Sequence, residues 1–210
     1  TQNQSSAASD VYKRQENHFG YGHSSGHVSG KVIDFHPTIE VEISYRDGKQ
    51  NIKTALLGDF NLYNILCAAT VGEIFHIKSE IISKSLESYT PSNHRSQLIK
   101  TKTNIVIADC YNANPTSTLA ALQSLSSMKV ENKVAILGDM LELGENEEVE
   151  HQNIVQFMHE NNISGLLVGG IFSNLKCNFP TFEKVEFILP YLKNMRYENC
   201  TILIKGSRGI

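Results

Sequence analysis

Ile105-Val106-Ile107-Ala108-Asp109-Cys110-Tyr111-Asn112-Ala113-Asn114-Pro115 decides the fold. An apolar, β-branched run ends abruptly in a carboxylate and two amides. Asn-Pro then opens a helix, with Asn114 as the N-cap and Pro115 at the first helical position. Leu119, Leu122 and Leu125 follow at a helical spacing. Further along, the same grammar repeats. Lys133 to Leu137 predicts a strand and Glu145, Glu147, Glu148 and Glu150 an acidic helix start suited to the positive end of the helix dipole. His151, Ile154, Val155 and Met158 line that helix's inner face. Gly165 to Val168 predicts a third strand and Thr201 to Ile204 a fourth, with a helix over Val185 to Met195 that Pro190 should kink or split. Strands alternating with helices imply crossover connections and a parallel sheet. Ligands of such sheets lie beyond the carboxyl ends of the strands. That rule selects Asp109 to Asn114, Gly138 to Gly144, Gly169-Gly170 and Gly206 to Gly209.

Upstream the pattern differs. Val28 to Phe35, Thr38 to Tyr45 and Gln50 to Leu57 predict three strands, with Arg46-Asp47-Gly48-Lys49 as a hairpin turn. Leu62, Ile65, Leu66 and Ala69 then predict a helix, with Phe75 extending its stripe. Ile77 to Tyr89 predicts a second helix, with Ile81, Ile82 and Leu86 apolar. Pro91-Ser92-Asn93 breaks the pattern and marks a domain boundary. The residues from His18 to Gly30 predict a solvated loop, since His18, His23 and His27 lack a fixed frame and a carboxylate or thiolate partner for a metal. Thr1 to Gln15 is polar and non-periodic and reads as a disordered or foreign leader. The Gly-rich end after Lys205, with no helix to cover it, reads as a chain cut at both ends.

Composition narrows the classes. The chain has 210 residues, 40% hydrophobic and 20% charged, with a formal net charge of −3. That excludes a disordered polyelectrolyte and a whole-protein attraction to nucleic acid or anionic membrane. No apolar run is long enough to span a bilayer. The 4 cysteines show no CxxC spacing; three sit in or beside apolar segments and read as small buried hydrophobes of a reduced, cytoplasmic protein. No GxxxxGK followed by Ser or Thr and no GxGxxG occurs, so the chain carries no recognisable phosphate cradle.

Several polar runs carry chemistry. Asp109 can accept hydrogen bonds from ribose hydroxyls, and an Asn amide can pair with a base edge. A turn plus N-cap explains Asn114 and Pro115 but not Asp109 and Asn112 as well. Asp139 and Glu142 in Gly138 to Gly144 are, taken alone, a solvated loop with a capping carboxylate. Asn61 and Asn64 share one helix face. Arg95 has a fork that suits a phosphate. Lys205, Ser207 and Arg208 suit an anion or carboxylate. A Cys110–His151 nucleophile pair lacks an oxyanion-hole signature.

In their order and spacing these runs resemble the ATP-dependent Mur ligase family of peptidoglycan synthesis, in its branch that adds D-alanyl-D-alanine. The similarity covers about Glu16 to Ile210. Its specific part is Tyr111-Asn112-Ala113-Asn114-Pro115 joined to Gly138-Asp139-Met140-Leu141-Glu142-Leu143-Gly144. Phe60 stands where many members carry His. The resemblance implies an α/β protein: a Rossmann-like parallel-sheet C-terminal domain over residues 91–210, preceded by part of a central ATPase domain over residues 16–90. It implies ATP and Mg²⁺, with the metal ligands upstream, and UDP-N-acetylmuramoyl-tripeptide and D-alanyl-D-alanine as substrates of a cytoplasmic monomer. Nucleotide contacts would come from Asn61, Asn64, Arg95, Asp109 and Asn112. Substrate contacts would come from Asn114, Asp139, Glu142, Lys205, Ser207 and Arg208. The alternatives are a non-catalytic Rossmann-type nucleotide-binding module and a related ligase such as folylpolyglutamate synthase.

Overall fold

The computed structural model describes residues 19–35, 37–92 and 94–207. The expectations for Thr1 to Gln15, His18, Asn93 and Arg208 lie outside those residues.

Strands β1 (Tyr21–Gly22), β2 (Val28–Phe35), β3 (Thr38–Tyr45) and β4 (Gly48–Leu57) form one sheet in that order. The β2, β3 and β4 ladders are antiparallel, and Tyr45 pairs with Gly48 across the predicted hairpin turn. Strict alternation in β3 puts Ile39, Val41, Ile43 and Tyr45 on the buried face. Helix α1 (Asn61–Ile74) lays Leu62, Ile65, Leu66 and Ala69 into the same core, and α2 (Ser79–Ser88) adds Ile82. Each such aliphatic side chain contributes roughly 1.5–3 kcal/mol by leaving water.

The second sheet has six strands among the described residues. Its members are β5 (Gln97–Lys100), β6 (Ile105–Asp109), β7 (Asn132–Gly138), β8 (Ser164–Val168), β9 (Thr181–Phe182) and β10 (Cys200–Lys205). The spatial order is β5-β6-β10-β7-β8-β9, parallel throughout except for the edge strand β5. Helices α3 (Pro115–Ser127) and α4 (Glu147–Glu160) cover one face, burying Leu122, Leu125, Ile154, Val155 and Met158 against Ala135, Leu137, Leu167 and Leu203. The short α5 (Gly170–Asn174) adds Phe172. Helix α6 (Val185–Met195) covers part of the other face through Ile188. The two sheets are separate, and Leu57 and Phe35 of the first unit pack onto the core of the second. No helix among the described residues is long and apolar enough to cross a membrane.

Several expectations differ from the structure. Phe75 is 74% exposed, because α1 ends at Ile74 and the ring falls beyond the buried stripe. Ile81 is also exposed, whereas Ile82 turns inward. Pro190 does not split its helix: α6 runs continuously past it. The stretch before Val28 is not wholly a loop, since β1 pairs in parallel with β2. Of the cysteines only Cys200 is buried; Cys67 and Cys177 are intermediate and Cys110 is exposed.

Candidate functional site

Parallel register sets the carboxyl ends of the central strands side by side. Lys205 pairs with Asp109 across β10 and β6 and with Leu137 across β10 and β7, and Gly138 pairs with Val168 across β7 and β8. The four polar loops singled out by the sequence rule therefore leave the sheet at one edge. Facing that edge are the first turn of α1, the outer side of α2 and, from the connecting segment, Tyr89, Pro91, Arg95 and Ser96. Between them lies a cleft of ≈ 1420 Å³.

Asn61, Asn64, Arg95, Asp109, Asn112, Asn114 and Lys205 all line this cleft. Asn61 is buried at the start of α1; its amide donates to Leu57 O at 2.6 Å and its oxygen accepts from Asn64 Nδ2 at 2.9 Å. The pair is thus preset, with Asn64 the exposed member. Arg95 lies over the Tyr111 ring, 3.7 Å from the centroid, a cation–π contact that fixes two long side chains against each other.

Asp109 is the most connected carboxylate of the cleft. Its Oδ1 accepts from Ser96 N at 3.0 Å and Ser96 Oγ at 3.2 Å, and its Oδ2 accepts from Lys205 Nζ at 2.7 Å. Lys205 Nζ also donates to Asn112 O at 2.9 Å. The Asn112 side chain accepts from Ala113 N, and Asn114 forms a reciprocal capping box with Ser117. Asn114 is the N-cap its sequence context predicted.

The loop after β7 turns the other way. Asp139 is buried and does not line the cleft. Its Oδ2 accepts from Ile171 N at 2.9 Å and its Oδ1 from Phe172 N at 3.0 Å, so the carboxylate caps α5. Gly169, with φ of +128°, lets the chain pass directly against that carboxylate, where a Cβ would collide with it. His151 is fully buried: its Nε2 accepts from Met140 N at 2.9 Å and its Nδ1 donates to Glu147 O at 2.6 Å. Both ring nitrogens are used within the fold, which leaves no base for Cys110. Ser207 joins three loops, accepting from Leu141 N at 3.1 Å, donating to Ala113 O at 3.2 Å and bonding Asp139 O through its own amide. Glu142 is exposed, with φ of +65°.

Cys110 is exposed as a residue, but partial desolvation of its sulfur raises the thiol above its ordinary range, and the neighbouring Asp109 charge adds to the shift. Cys110 Sγ turns inward and donates to Ile204 O at 3.3 Å. Sequence reasoning missed three cleft residues. Ser96 holds Asp109, Tyr111 supports Arg95, and Glu150 adds a carboxylate beside the start of α3. Tyr111 lay inside the quoted motif and Ser96 beside Arg95, but nothing in their spacing signals these partners. Among the described residues no cluster of three or more His, Cys, Asp or Glu side chains could hold a metal ion.

Comparison with known proteins fits this geometry. The family model "Mur ligase, glutamate ligase domain" matches residues 94–208. A UDP-N-acetylmuramoyl-tripeptide–D-alanyl-D-alanine ligase of Buchnera aphidicola (subsp. Baizongia pistaciae) is 32% identical over 170 residues, 78% of this chain and 37% of that protein. The protein of the same name from Rickettsia prowazekii is 31% identical over 138 residues, 62% of this chain and 31% of its own. A crystal structure of MurF from Acinetobacter baumannii superposes with a TM-score of 0.81 at 26% identity, over 90% of this chain and 44% of that one. The chain thus spans about a third of the length of these curated relatives.

Proposed function

This chain belongs to the Mur ligase family, and from that premise we propose that it forms the nucleotide-facing part of a ligase joining D-alanyl-D-alanine to UDP-N-acetylmuramoyl-tripeptide at the expense of ATP. One observation carries the reading: seven side chains selected from sequence, drawn from both units and from positions as far apart as Asn61 and Lys205, line a single cleft. Residues 16–90 then belong to a central ATP-binding domain and residues 91–210 to the C-terminal domain, with ATP between them.

The tripeptide carboxylate takes the γ-phosphoryl of ATP, with ADP released; the dipeptide amine then attacks the acyl carbon of the acyl phosphate, forming the amide and expelling phosphate. The residues of this chain bind and orient. The preset Asn61–Asn64 pair offers a donor and acceptor edge to adenine. Asp109 accepts from the ribose hydroxyls, and Arg95, held flat on Tyr111, lies toward ribose or phosphate. Asn112 and Asn114 shape the floor through the backbone they hold. Glu142, Ser207 and Arg208 are assigned to the dipeptide or tripeptide side, with Asp139 holding the adjacent loop. Among the described residues no group of three or more His, Cys, Asp or Glu side chains gathers as a metal site, and no residue of this chain is assigned to hold Mg²⁺. Phosphoryl transfer is not assigned to residues of this chain, and the chain alone is expected to be inactive. The enzyme is placed in the cytoplasm as part of the same reading.

The test is ADP release by the full-length gene product. Release is expected only when both UDP-N-acetylmuramoyl-tripeptide and D-alanyl-D-alanine are present. Nucleotide binding without turnover would favour a non-catalytic module, and turnover with a folate and glutamate would favour the related ligase.

A further inference from the structure

The cleft contains a lysine with two of its three donors already committed. The Lys205 side chain is 2% exposed, and its ammonium bonds Asp109 Oδ2 at 2.7 Å and Asn112 O at 2.9 Å. Nothing in that setting resembles a solvated cation waiting for an anion. The pair spans adjacent strands in register, so β6 and β10 hold the two groups together without help from loops. On its other oxygen Asp109 is drawn toward Ser96, in the segment that connects the two units.

We propose that Lys205 is a positioning residue for Asp109: it fixes the carboxylate's rotation against the pull of Ser96 and so keeps an acceptor turned toward a vicinal diol in the cleft. The proposal rests on the reading of Asp109 as the ribose acceptor. A carboxylate offers about four lone-pair sites. Ser96 occupies two and Lys205 one, which leaves an acceptor on Oδ2, the oxygen that Lys205 grips. Without the ammonium, the carboxylate keeps only its Ser96 bonds and swings toward the linker. The Asn112 carbonyl loses its donor as well, and the loop that floors the cleft loosens with it. Lys205 acts on nucleotide binding through Asp109, not by contact with the dipeptide.

The experiment uses the full-length enzyme with ATP and with 2′,3′-dideoxy-ATP, which lacks the diol. The wild type is expected to favour ATP in KM. Lys205→Met should raise the KM for ATP about tenfold, the weight of one well-aligned hydrogen bond to a charged group. The KM for 2′,3′-dideoxy-ATP, the KM for D-alanyl-D-alanine and kcat should stay close to wild type. Lys205→Gln, which keeps a donor, should fall between, and it carries the comparison if Lys205→Met does not fold. Lys205→Met combined with Asp109→Asn should be no worse for ATP than Asp109→Asn alone. An equal rise for both nucleotides, or a rise confined to the dipeptide, would overturn the proposal. A wild type indifferent to the diol would instead remove the ribose role of Asp109, a distinct failure.

Discussion

The loop after β6 and the loop after β7 carry the same kinds of residue at the same edge of the sheet, and they end in opposite roles. Asp109 and Asp139 each follow an apolar strand, and each has both carboxylate oxygens hydrogen-bonded. What differs is the source of the donors. Asp139 takes backbone amides from the first turn of α5, a buried and closed arrangement that a ligand could enter only by breaking the fold. Asp109 takes one backbone amide, from Ser96, and two side-chain donors, the Ser96 hydroxyl, which can rotate, and the Lys205 ammonium, on the wall of a large cleft. A carboxylate held by backbone amides alone in the interior belongs to the scaffold, whereas one held partly by side chains at a cleft keeps capacity for a ligand.

The contrast can be broken most forcefully at Asp139. Asp139→Ala strands the amides of Ile171 and Phe172 in the interior and should cost about 3 kcal/mol. In thermal unfolding of the chain that corresponds to a Tm lower by roughly 10 °C. Nucleotide KM in the full-length enzyme should move little. A large KM effect with an unchanged Tm would make Asp139 a ligand contact and erase the distinction.

Asn114→Ala tests the first loop's own scaffold. Loss of one N-cap costs about 1 kcal/mol, readable as a smaller Tm shift, with the KM for ATP and for dipeptide preserved. A dipeptide KM raised severalfold would show that the amide also reaches substrate.

The smallest effect concerns Cys110, inside the first loop. Burial first, and the Asp109 charge second, raise its thiol above the ordinary range. Iodoacetamide at pH 8 should therefore alkylate it more slowly than free cysteine. Asp109→Asn should quicken the reaction without restoring the free rate, because the partial desolvation of the sulfur remains. In linkage terms, the folded state holds this proton more tightly than the unfolded chain. Its contribution to stability is full below the unfolded thiol range and is lost as pH rises through the folded one. Alkylation at the free-thiol rate would contradict the inward-turned sulfur.

Much of the architecture was legible because periodicity reports burial. The alternation of Ile39, Val41, Ile43 and Tyr45 and the helical spacing of Leu62, Ile65, Leu66 and Ala69 name their own elements. Edge pieces were not legible. Strand β5 is only partly buried and β9 has two residues, so neither builds an alternating signal. Helix α5 spans five residues and depends on a carboxylate that arrives from position 139, which no local propensity shows. The site divides similarly. The gathering of Asn61, Asn64, Arg95 and Asp109 followed from motif order, but the Lys205–Asp109 pair joins residues 96 positions apart through strand register. Pairing across a sheet is a tertiary fact, and it joins Lys205, read from sequence as a candidate substrate contact, to Asp109.

The most direct test of the cleft as a nucleotide site is the KM pattern of Asp109→Asn in the full-length enzyme. The substitution keeps the shape and an acceptor but removes the charge that a ribose diol would donate to. The account predicts a KM for ATP raised about tenfold, with the KM for D-alanyl-D-alanine unchanged, because a ribose contact contributes binding in ground and transition states alike. An intact KM for ATP with a raised KM for the dipeptide would place Asp109 in the acceptor pocket and contradict the assignment.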